Sequence, residues 1–136
     1  MRRLFIIMVA AIATISAASC TEKALLEEFT NEKSEIGLTI KGQDIFTYDE
    51  NSCQLGYDES LRQFRVSDDM MTDYYILTVD NVPEIGYETQ ASLIYTTDDD
   101  VISQRGLSFK LVKVGRDGTM WFWNKKNMIG AVVRKL

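Results

Sequence analysis

The chain changes its hydrophobic period twice. Residues 4–13 are an unbroken apolar run; residues 21–35 set Leu25, Leu26 and Phe29 at helical spacing among charges; from Ile36 onward apolar and polar positions alternate with a period of two. Leu38 and Ile40 alternate with Thr39 and Lys41, Gly42-Gln43 turns the chain, and Ile45 to Tyr48 runs back. Asp49-Glu50-Asn51 supplies the next turn, Cys53-Leu55-Tyr57 the next strand, and Asp58-Glu59-Ser60 another turn. Gln63 to Ser67 alternates cleanly and predicts a strand with one wet face, whereas Tyr74 to Val79 is apolar on both faces, as in a central or covered strand.

The second half continues the meander. Asn81 to Tyr87, with the only proline, Pro83, reads as a loop, Thr89 to Tyr95 as a strand, and Thr96 to Arg105 as a polar loop. Leu107 to Val114 leads into Gly115-Arg116-Asp117-Gly118, whose Asp-Gly pair signals a hairpin. Met120 to Trp123 leaves it, Asn124 to Asn127 turns, and Ile129 to Leu136 is the last strand. The pattern predicts an all-β domain over 36–136, an antiparallel meander of about nine short strands forming a small barrel or partly open barrel, with a two-sheet β-sandwich as the alternative. Residues 20–35 form a short helix or a tether. In a closed meander the last strand pairs with one near the start, so removing Val132 to Leu136 is expected to unfold the whole domain.

The apolar run at the start is shorter than the roughly 20 residues a resident membrane span needs. With Arg2 and Arg3 before it and small residues after it, residues 1–19 have the three-part layout of a secretory signal. The following Ala17-Ala18-Ser19-Cys20 resembles the lipobox of bacterial lipoproteins, with Ala17 standing where that pattern carries Leu or another larger aliphatic. Ordinary signal peptidase would accept Ala17 and Ser19 and cut the same bond, leaving plain secretion as the alternative. The resemblance implies a diacylglyceryl thioether on Cys20 and a further acyl chain on its new amino terminus. Two or three chains give stable anchoring without a transmembrane helix. The expected location is the outer membrane of the cell envelope, facing either periplasm or surface, and no other cofactor is expected. A lipobox before a compact β-rich domain also resembles small lipoproteins of Bacteroidota, in some of which a charged cluster after the cysteine directs surface export. Here Glu22, Glu27 and Glu28 are interrupted by Lys23, Ala24 and two leucines.

Lipidation changes the cysteine arithmetic. The chain has two cysteines, so an acylated Cys20 leaves Cys53 without an intramolecular partner and predicts a buried thiol; without the lipid, Cys20 and Cys53 could pair. The whole chain carries a net charge of −5. Residues 1–19 hold two of the fifteen basic residues and none of the acidic ones, so 20–136 has thirteen basic against twenty acidic residues, a net −7. Such a surface excludes nucleic acid, which requires basic patches, and suits a basic partner.

Three constellations are candidates for chemistry. Trp121 and Trp123 share one strand face about 7 Å apart. Such a pair either stacks on sugar rings or packs in the core, with Met120 and Phe122 on the other layer. Lys125 and Lys126 follow as added donors or as edge protection. The acidic loop Asp98-Asp99-Asp100, with Asp68, Asp69 and Asp73 in another, is oxygen-rich but lacks the alternating calcium-loop pattern, so the aspartates read as turn residues and no metal site is assigned. Among the twenty acidic residues no glycosidase-type pair stands out, and the chain has no histidine, the commonest general base. The expectation is therefore no enzyme: a membrane-anchored, non-catalytic binding or accessory module for a glycan or a partner protein. The alternative is an inhibitor that plugs the basic active site of a secreted hydrolase with Asp98 to Asp100; a small hydrolase is third.

Overall fold

In a computed structural model, which describes the backbone of residues 18–135 and side chains from Thr21 onward, the meander forms one sheet. Of the segment 1–19 expected to be a signal, residues 1–17 lie outside the described residues, as does the side chain of Cys20. Helix α1 (Ala18–Glu32) is followed by β1 (Gly37–Ile40), β2 (Gln43–Thr47), β3 (Cys53–Asp58), β4 (Gln63–Asp68) and β5 (Tyr74–Val79). Then come β6 (Glu88–Thr96), β7 (Val101–Val114), β8 (Met120–Asn124) and β9 (Ile129–Val133). The nine strands lie in the order β2-β1-β9-β8-β7-β6-β5-β4-β3, every neighbouring pair antiparallel. The last strand pairs with the first, Leu38 opposite Ala131, as the meander requires. A single strongly curled half-barrel results, not two stacked sheets.

Two boundaries differ from the sequence pattern. The stretch Thr96 to Arg105 is mostly strand, because β7 begins at Val101 and only residues 97–100 turn the chain. Its polar residues hide a true alternation: Ile102 and Gln104 are half-buried opposite Tyr95 and Leu93, while Ser103 and Arg105 are exposed. The helix runs fifteen residues, longer than its short apolar stripe suggests, and its length comes from docking on the sheet.

Curling brings strands that are distant in the sheet order into contact through the concave face. Leu38, Phe64, Leu77, Leu93, Phe109 and Phe122 are fully buried there. Phe64 of β4 lies 6.3 Å from Phe122 of β8, ring centre to ring centre, and Phe46 of β2 meets Tyr75 of β5 edge-on at 5.4 Å. The Tyr75 hydroxyl donates to the Val132 carbonyl of β9 at 2.7 Å, so the largest buried polar side chain is satisfied across the barrel. Burial, and secondarily the nearby Cys53 thiol, pushes this phenol well above the usual tyrosine range, keeping it a donor.

The convex face of β8, β9 and β1 is covered by α1. Every residue of β8 and β9 is buried, an exception to the one-wet-face rule for antiparallel sheets. Alternation puts Phe122, Ala131 and Leu38 on the concave side of one cross-strand row. The adjacent row, Trp123, Gly130 and Thr39, faces outward beneath the helix. Among the described residues, no helix is long and apolar enough to cross a membrane.

Candidate functional site

The helix seat is built around the two tryptophans. Phe29 is the central apolar residue of α1, and its ring sits 5.3 Å from that of Trp123. The position opposite must be small: a Cβ on Gly130 would come within 2.5 Å of the Phe29 ring. One turn earlier, Leu25 packs on Gly42 in the β1–β2 turn.

Both indole N–H groups are used by the helix segment. Trp123 Nε1 donates to Glu22 Oε2 at 2.8 Å, and Trp121 Nε1 donates to the Lys33 carbonyl at 2.7 Å. The second bond satisfies a carbonyl just past the helix end, and Lys113 Nζ donates to the Thr30 carbonyl at 3.1 Å, satisfying another. The same ammonium lies 4.5 Å from the Trp121 ring centre, so one cation serves both the helix C-terminus and the aromatic face. Trp121 and Trp123 are 5% and 4% exposed. Stacking a sugar on them in this conformation would require α1 to leave, so the pair serves packing here.

Cys20 stands on the first turn of α1, two residues before Glu22 and about 3 Å from it along the helix axis. Lys125 and Lys126 are exposed in the β8–β9 turn, on a shallow surface shared with Glu22, Lys23 and Arg105. Among the described residues Cys53 is a free thiol, half-buried instead of fully buried because it opens β3 at the sheet's end; its Sγ accepts from the Asp49 N–H at 3.4 Å.

The aspartates that the sequence places in separate loops come together. Asp98 in the β6–β7 turn, Asp68 and Asp73 around the β4–β5 turn, Asp49 after β2 and Asp44 on β2 all line one open cleft of about 580 Å³. Ile45, Phe46, Thr47, Ser52, Cys53, Thr96 and Thr97 complete its walls, so five carboxylates face no basic residue in the lining. Asp44 is held from outside the cleft by Lys33 at 2.9 Å. Asp68 accepts from the Thr72 hydroxyl at 2.7 Å and from the Thr72 and Asp73 N–H groups; these bonds, the Thr72 hydroxyl foremost, hold its carboxyl below the usual range. Thr96 Oγ1 accepts from the Tyr74 N–H at 3.0 Å and bonds Asp73 Oδ1 at 3.4 Å, fixing the β5 and β6 ends that form the far wall. Asp98 to Asp100 form a tight turn closed by the Thr97 N–H donating to the Asp100 carbonyl. Among the described residues no group of three or more acidic, cysteine or histidine side chains converges as metal ligands.

The cleft has one further property. Strands β2 and β3 end the sheet, and among the described residues neither makes main-chain hydrogen bonds along its outer edge. The β2 edge borders the cleft, and four of the five β2 residues line it. Sequence reading singled out Asp98 to Asp100, Asp68 and Asp73 but not Asp44, Asp49 or the edge beside them. No protein-family model matches the chain, and no curated protein and no solved structure matches it.

Proposed function

We propose that this chain is a lipid-anchored, non-catalytic binding module of the bacterial outer membrane, acylated at Cys20 and presenting its half-barrel to a partner protein. The observation that carries the reading is the position of Cys20 on a helix that is itself bonded to the sheet through Glu22, Phe29 and Lys33. A lipid there holds the barrel close to the bilayer without an intervening linker, and several acyl chains suffice for stable attachment. A partner protein fits better than a glycan, because the aromatic faces that would stack on sugar lie under α1. Labelling cells with radioactive palmitate tests the anchor: the wild-type chain should carry label in the membrane fraction, and Cys20→Ser should lose both. Unlabelled wild-type chain released from the membrane would sink it.

The acidic cleft favours a second reading, inhibition of a secreted hydrolase with a basic active site. Inhibition would then weaken with salt and vanish on neutralising Asp73 and Asp98; inhibition indifferent to both would exclude this use of the cleft.

A further inference from the structure

We propose that the free edge of β2 binds a short, extended, cationic segment of a partner protein as an added strand. This deepens the binding-module reading and rests on it, though not on the acylation of Cys20.

An unpaired strand edge offers N–H and C=O groups at regular spacing, and an extended peptide satisfies them by extending the sheet. Of the two free edges, β3 is partly covered at its far end: Lys135 Nζ lies 4.8 Å from the Tyr57 ring centre and 4.0 Å from Glu59. The β2 edge opens onto the 580 Å³ cleft along four of its five residues, whereas β3 reaches it only at Cys53. The β2 pairing with β1 shifts register at Ile45, Leu38 lying opposite Phe46 and Thr39 opposite Asp44, so the regular spacing of β2 is broken there and an added strand of about four residues would pair on either side of the bulge.

Side-chain chemistry selects the occupant. An added strand would project alternate residues to opposite faces. Toward the cleft lie the carboxylates of Asp49, Asp68, Asp73 and Asp98, none of which is salt-bridged among the described residues, beside the apolar Ile45, Phe46 and Cys53. Lysine or arginine alternating with apolar residues meets both. A second copy of this chain fits poorly, because antiparallel pairing of β2 with another β2 would set Asp44 diagonal to its own counterpart and bring two acidic clefts side by side, and like charges oppose association. The carboxylates thus guard the edge against self-pairing while attracting a cation-bearing strand. Charges separated by more than the Debye length, about 8 Å at physiological salt, are screened, so the attraction should weaken measurably with ionic strength.

The test uses an acetylated, amidated hexapeptide of alternating lysine and valine against the acylated protein in detergent and, in parallel, the Cys20→Ser chain. Both should bind it. Binding should fall at least tenfold when alternate peptide amides are N-methylated, which keeps the charge and removes strand pairing. It should fall at least tenfold again with Asp73→Asn/Asp98→Asn; both positions are exposed, and asparagine at position 73 keeps an acceptor oxygen for Thr96 Oγ1, so the melting temperature should stay near that of the wild type. Hydrogen exchange should slow in residues 43–47. Equal affinity for the N-methylated peptide, equal affinity for an alternating glutamate-valine peptide, or protection confined to other strands would overturn the proposal. Peptide binding by the Cys20→Ser chain with no palmitate on the wild type would remove the anchor and leave this site standing; palmitate without peptide binding would do the reverse.

Discussion

The indole N–H of Trp123 donates to the carboxylate of Glu22 at 2.8 Å, joining residues 101 positions apart at the point where the helix meets the sheet. A partly buried indole N–H left without an acceptor costs about 1–3 kcal/mol. Glu22→Ala should therefore destabilise the domain by about that amount, whereas Glu22→Gln, which keeps an acceptor oxygen, should lose well under half of it. Chemical denaturation of the two variants checks the contrast, and equal losses would mean that the bond contributes little.

Only two tryptophans exist in the chain, and both lie under α1, so intrinsic fluorescence reports the helix seat alone. Phe29→Ala removes the ring that packs on Trp123 and should cost about 3–5 kcal/mol. It should also shift tryptophan emission to longer wavelength and increase quenching by acrylamide. A variant with unchanged emission would show that the helix is not what shields these indoles.

Gly130 is required by Phe29 and not by its own backbone, because its φ lies outside the positive region. Gly130→Ala should overpack the seat at a cost of about 1–3 kcal/mol. In the Phe29→Ala background the added methyl no longer meets the ring and keeps only its close approach to Thr39 Oγ1 at 2.9 Å, so the combined loss should be smaller than the sum of the two single losses. Strict additivity in denaturant midpoints would separate the two residues and refute the contact.

The strands were legible because each local pattern agrees with the fold. The alternation of Gln63 to Ser67 appears in structure except that Ser67 is buried, Tyr74 to Val79 buries one face and half-buries the other, and an Asp-Gly turn sits between β7 and β8. The meander also implies that the β4–β5 and β6–β7 turns share one end, which places Asp68 and Asp73 near Asp98. Local pattern does not say how far the sheet curls, so the approach of Asp44 and Asp49 from its opposite edge was not legible. The helix seat was half visible: β8 is apolar on both faces and α1 has an apolar stripe in need of a surface, but nothing local pairs Phe29 with Gly130.

Asp117 in the β7–β8 turn accepts from the Thr119 N–H at 3.0 Å and from Arg134 at 2.8 Å, clamping the hairpin tip to the chain beyond β9. The bonds to Thr119, followed by that to Arg134, lower its pKa from 3.8 to about 2. A depressed carboxylate pKa means that the unfolded chain binds the proton more readily than the folded one. The contribution to stability is therefore full above about pH 5 and declines as the pH falls through 4 toward 2. The melting temperatures of wild type and Asp117→Asn should differ most at and above pH 5 and converge by pH 2. Curves that stay parallel down to pH 2 would show that the clamp does not depend on this carboxylate's ionisation.

Strand β9 is third in the sheet order, bonded to β1 on one side and β8 on the other, and its Val132 carbonyl accepts the Tyr75 hydroxyl from across the barrel. Deleting residues 132–136 removes the positions opposite Gly37 and Trp121 and strands a buried phenol without an acceptor. The loss extends to both faces, because Val133 is buried on the concave side and Val132 beneath α1. The truncated chain should lose its cooperative thermal transition and become protease-sensitive along its whole length. Deleting only residues 135–136, beyond the strand, should leave the transition in place with a modest decrease, since the contacts of Lys135 are exposed ones. Tyr75→Phe isolates the cross-barrel bond and should cost about 1–2 kcal/mol with the fold retained. A folded, protease-resistant 1–131 chain would mean that the half-barrel is held by β3 to β8 alone, and that the pairing of β9 with β1 adds the N-terminal strands without supporting the rest.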